Sequence, residues 1–152
     1  MANENFPDFF YRGLSNKNFI NNNKCPTIEA FSFDKNIRED GYREMSINWE
    51  TSKEALDVLF KQKKSDGRIQ FSAGAVKMNF SLLKSVTSQF VVLGKFNYEK
   101  REVSGNPYHG NLLFKPDQKD TTLAKQDESM IRNTLAMIAS TIPVIENPEV
   151  EN

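Results

Sequence analysis

The most strand-forming stretch of the chain is SQFVVLGKFNYEKREV at residues 88–103, followed by NPYHGNLLFK at residues 106–115. Both are rich in the aromatic and bulky apolar side chains that pack well on a pleated sheet. Ser104-Gly105-Asn106-Pro107 between them has turn composition, so the pair predicts an antiparallel hairpin, with Gly94 marking a bulge or bend. Toward the C-terminus, residues 121–141 predict a long helix with Leu123, Met130, Ile131, Leu135 and Ile138 facing inward, at helical spacing. The closing IENPEVEN is too polar to bury. Toward the N-terminus, residues 73–86 predict a strand and a turn. Asp66-Gly67 predicts a tight turn, and residues 52–62 predict a helix opened by Thr51 and Glu54 as a capping pair. Residues 27–33 and 43–49 predict two strands joined at Asp40-Gly41. Met45, Ile47 and Trp49 share one side of the second strand, and Phe9 to Leu14 forms an early strand.

The strands fall into two hairpin groups, each followed by one amphipathic helix, a poor match to alternating parallel units. The expected fold is α+β: an antiparallel sheet of about five or six strands with one face packed against helices at about 52–62 and 121–141. A chain of 152 residues suits one domain, expected over 1–145, with 146–152 as a flexible acidic tail. Apolar residues make up 38% and charged residues 26%, within the folded range, and twelve phenylalanines supply much of the core. A lone cysteine, Cys25, cannot form an internal disulfide. The opening MANENFPDFF carries acidic residues where an export signal carries basic ones, and no apolar run approaches the roughly 18 residues of a membrane span. The expected location is the cytoplasm, with no membrane partner.

The net charge is zero, but residues 61–101 hold nine basic side chains against two acidic ones, a balance of +7, while 1–60 carry −3 and 102–152 carry −4. If the strands of the central segment are neighbours, Lys61, Lys63, Lys64, Arg68, Lys77, Lys84, Lys95, Lys100 and Arg101 merge into one phosphate-attracting patch. Folding of the acidic flanks across it would neutralise it.

Metal chemistry lacks a ligand cluster, because the single His and the single Cys lie far apart in sequence. No GxGxxG, GxxxxGK[ST] or GxSxG string occurs, and no cofactor is expected. His109, beside Gly110, is either an acid or base or a strand-edge histidine hydrogen-bonded to a loop carbonyl. Arg12, inside the apolar run FFYRGL, is either an anion clamp or an arginine pointing outward from an edge strand. Trp49 is expected as a core anchor, Glu39 and Asp40 as turn formers, and Cys25 as inert. The Tyr11-Arg12-Gly13 triplet resembles the opening of the arginine-serine-glutamate class of ADP-ribosyltransferases, where the arginine contacts NAD. The likeness covers three residues. The catalytic E/Q-x-E string is missing from the late strands, and no membership follows. The first functional reading is therefore a non-enzymatic binding or accessory protein acting through a protein partner. The alternatives are a nucleic-acid-binding protein using segment 61–101, with Lys61, Lys63, Lys64 and Arg68 at its head, and an enzyme acting on a nucleotide-like substrate with Arg12 and His109 in one cleft.

Overall fold

The computed structural model describes residues 7–82 and 94–150. Five antiparallel strands, β1 (Phe9–Leu14), β2 (Arg43–Asn48), β3 (Gly74–Asn79), β4 (Gly94–Lys100) and β5 (His109–Pro116), form one sheet in the order β3-β1-β2-β5-β4. Helix α1 (Lys53–Phe60) follows β2, and α2 (Thr121–Ala139) follows β5. The α+β reading with its antiparallel sheet and two main helices is what the chain adopts.

Strand alternation explains the layers, because successive side chains point to opposite faces. Phe10, Leu14, Met45, Ile47, Val76, Met78, Leu112 and Phe114 form a buried cluster on one face, where Ile131, Leu135, Ile138 and Ala139 of α2 close over them. Each fully buried Phe or Leu there contributes about 1.5–3 kcal/mol. Tyr11 and Ala75 point the other way and pack with Leu59 and Phe60 of α1. The two helices thus cover opposite faces, where the sequence suggested a single one.

The hairpin of 88–115 forms from Gly94 onward: Gly94 pairs with Pro116, Phe96 with Phe114 and Lys100 with Gly110. Gly94 is a regular rung rather than a bulge; the expected residues 88–93 lie outside the described residues, as do 83–86 and Lys84. Both Asp-Gly turns form, with φ of 87° at Gly41 and 86° at Gly67. Two local expectations change. Residues 27–33 are not a strand, because Ile28–Phe31 wind into a 3-10 turn that buries Ala30 and Phe31. Arg43 and its neighbours pair instead with β5. The cap of α1 is Ser52, not Thr51: its hydroxyl accepts from the Ala55 N–H, while the Thr51 N–H donates to Glu50.

On α2, Asp120 caps the first turn by accepting from Thr122 and Leu123. Leu123 and Met130, expected inside, are exposed; Ala124, Ile131, Leu135, Ile138 and Ala139 are the buried line. The expected free tail also differs. Ala75 and Ile145 exchange both backbone hydrogen bonds at 2.9 Å, which covers the outer edge of β3. Asn147 is buried and donates to the carbonyls of Phe60 and Phe71, both at 3.1 Å. Residues 151–152 lie outside the described residues. No helix of the described residues is long and apolar enough to cross a membrane.

Candidate functional site

A cavity of about 160 Å³ lies on the α1 side of the sheet. Its floor is Gly13 of β1 with Ser46 and Asn48 of β2, and its walls come from Leu59 and Gln62 at the end of α1, Gln70 and Phe71 of the following turn, and Val103, Asn106 and His109 beyond β4. Arg12 also lines it, although alternation assigns its side chain to the α2 face. The register explains this. β1 and β2 share one pair, Tyr11 with Asn48, and beyond it the strands separate. The Arg12 guanidinium stands in that seam, donating from Nη1 to the Ser46 carbonyl at 2.7 Å and from Nε to the Ala30 carbonyl at 3.1 Å.

Arg12 is therefore not the outward-pointing arginine of an edge strand. Burial lowers its pKa to about 10, since taking a cation out of water penalises its charged form. Among the described residues no carboxylate forms an ion pair with it, and Nη2 has no hydrogen-bond partner there. Peptide carbonyls are its protein partners there, and the half-buried side chain keeps some contact with solvent.

His109 opens β5 opposite Asn48. Its Nδ1 lies 2.8 Å from the Arg101 carbonyl. A carbonyl only accepts, so Nδ1 carries the proton and Nε2 is the uncommitted ring nitrogen. The histidine is a strand-edge residue bonded to a loop carbonyl, and it shares a cavity wall with Arg12. What the two can do together is limited by space, because pockets that enclose drug-sized ligands run from about 300 Å³ upward. A nucleotide exceeds this cavity.

Three buried asparagines hold the cavity's surroundings in place, and sequence patterning gave no sign of them. Asn48 donates to the Ala55 carbonyl, and Asn106 donates to Asn48 Oδ1 at 2.8 Å while accepting from the Tyr108 N–H. This chain ties β2 to α1 and to the 103–109 loop. Asn147 braces α1 and the 70–73 turn from behind. Trp49 is half-buried rather than in the core, with the Lys100 ammonium 4.1 Å above its ring and Tyr108 edge-on at 5.8 Å.

The basic segment does not gather. β3, with Lys77, and β4, with Lys95 and Lys100, are opposite edges of the sheet, three strands apart. The condition for one merged patch fails. Lys61, Lys63 and Lys64 remain together on the end of α1 and the next turn, all exposed, and Arg68 pairs with Asp66 at 3.3 Å. Lys61 and Lys63 border a shallow depression with Ser104 and Gly105. Elsewhere Arg38 sits among Asp40, Glu44 and Glu99, tying the Asp40-Gly41 turn to β2 and β4. Cys25 is half-exposed, its thiol 3.7 Å from the Asn23 carbonyl. Among the described residues no three His, Cys, Asp or Glu side chains come together in a group that could hold a metal ion.

Among the described residues, three of the six exposed large apolar side chains are on α2. Leu123, Met130 and Met137 are 43%, 51% and 72% exposed. They are spaced seven residues apart, which places them on one line of the helix's outer surface. Compared with protein-family models, with curated proteins and with solved structures, the chain matches none.

Proposed function

We propose that this chain is a binding or accessory protein that works through a protein partner docked along the outer line of α2. The observation that carries the reading is the heptad spacing of Leu123, Met130 and Met137, three large apolar side chains left in water on one stripe of a helix whose other side is the core. Scattered exposed apolar residues are ordinary, but an aligned set resembles the anchor pattern of a helix seated in a groove. Methionine adapts to irregular surfaces, which suits it to a docking contact.

A second copy is a poor occupant. Nineteen residues at about 1.5 Å each and a contact width of about 10 Å give a strip of about 280 Å² per side, so a self-pair of α2 buries about 560 Å² in all. Stable interfaces bury about 1,200–2,000 Å². A partner with an apolar groove wraps the strip and reaches that area; a second convex helix does not. The test is a photoreactive side chain in place of Met137, introduced in the native host, with Lys115 on the other face of the sheet as the control position. The reading expects one protein cross-linked from position 137 and not from 115. No cross-link, or the same capture from both positions, refutes it.

A further inference from the structure

We infer that the cavity beside Arg12 binds a small inorganic oxyanion of the phosphate or sulfate class. The physical problem is the guanidinium itself. Arg12 is half-buried, a position in which a cation is only partly hydrated, and its protein partners are the Ser46 and Ala30 carbonyls, with no counter-ion among the described residues. Its Nη2 has no protein partner among the described residues and is open to solvent. Gln70 lines the same cavity, and its side-chain amide likewise has no partner among the described residues. Gln62, by contrast, is committed, donating to the Val58 and Gly105 carbonyls. With Nη1 and Nε already on carbonyls, the Nη2 end of the guanidinium and the Gln70 amide are charged and neutral N–H donors of the kind oxyanions accept from.

Volume selects the ligand. A water occupies about 30 Å³ of liquid, so 160 Å³ is about five waters. That space takes an inorganic oxyanion and leaves no room for a nucleoside. The cavity lies on the α1 face, away from the outer line of α2, so the anion site stands or falls separately from the docking surface.

The experiment is calorimetric titration of the purified chain with sodium phosphate, sodium sulfate and AMP. The comparison variants are Gln70→Glu, which keeps the shape of the side chain and adds a negative charge to the cavity wall, and Arg12→Lys, which keeps the charge and removes the fork. Saturable binding of phosphate and sulfate is expected, with AMP no tighter than phosphate. Gln70→Glu is expected to weaken phosphate about tenfold or more, because like charges repel strongly in a partly desolvated site. Arg12→Lys is expected to weaken it as well, and if that variant does not fold, Gln70→Glu decides alone. Absence of saturable phosphate binding up to about 10 mM, well above the millimolar affinities at the weak end of specific binding, overturns the site. So does binding indifferent to Gln70→Glu, and AMP binding tighter than phosphate overturns the assignment to a free anion.

Discussion

Replacing Asn147 by alanine tests how the C-terminal segment is held. Its side chain, 7% exposed, donates to Phe60 and Phe71 and accepts from the Glu149 N–H at 2.9 Å. Each bond contributes about 0.5–1.5 kcal/mol net, and a buried polar group left without its partner costs about 1–3 kcal/mol. The Phe60 carbonyl is stranded at the end of α1, where no water replaces the amide as readily as at the surface. Allowing for partial relaxation, the loss is about 2–4 kcal/mol. With a urea slope of about 1–3 kcal/mol per molar, the unfolding midpoint drops by about 1–2 M. Asn147→Asp keeps the acceptor for Glu149, loses both donors and faces two carbonyls with a charge, so it is expected to cost at least as much. Urea unfolding followed by far-UV circular dichroism reads both variants. Shifts below about 0.3 M in both, under about 1 kcal/mol at that slope and well short of the expected loss of about 2–4 kcal/mol, refute the claim that residues 144–150 belong to the packed structure.

Two further outcomes follow from the geometry. Burial raises the pKa of Tyr11 above 10.0, and its hydroxyl donates to the Thr51 carbonyl at 3.2 Å. Above pH 10 the unfolded chain releases that proton while the folded chain retains it, so stability falls as pH rises through this window. Tyr11→Phe removes that component of the slope, and urea midpoints measured below and above pH 10 detect the difference; equal slopes in both proteins contradict it. Because the basic side chains are divided between opposite sheet edges, reversing Lys61, Lys63 and Lys64 to Glu is expected to leave oligonucleotide retention unchanged at a low background. Tight, steeply salt-dependent binding abolished by the triple reversal would favour the nucleic-acid reading instead.

What the sequence revealed followed from which signals are local. The 94–116 hairpin, the strand at Phe9–Leu14 and both helices announce themselves through side-chain type and period, and the structure carries all of them. Ile28–Phe31 misled because a single 3-10 turn has no period to read, and its apolar residues are buried by α2, more than a hundred residues away. On α2 the pattern set Leu123 and Met130 on the same face as Ile131, Leu135 and Ile138, but at about 100° per residue Met130 lies a quarter-turn round from Ile131, and only the 131/135/138 line is buried. The site was partly legible: Arg12 stood out as a charge in an apolar run and His109 as a singular residue, and they line one cavity. The carbonyl partners of Arg12 and the asparagine chain from Asn106 to Ala55 were not, because they depend on strand order. The same is true of the basic segment, whose charges are close in sequence but separated by the β3-β1-β2-β5-β4 order.

The proposed docking surface on α2 is tested most directly by the mass of the chain as purified from its own host under native conditions, measured by light scattering with mass spectrometry of the components. Wild-type protein is expected to elute as a stoichiometric complex with a different chain, well above its own 17.4 kDa. The Met130→Glu/Met137→Glu variant is expected to elute at 17.4 kDa with an unchanged circular dichroism spectrum. A wild-type chain that runs alone, a complex made only of copies of itself, or a complex whose mass is the same in the double variant would contradict the account.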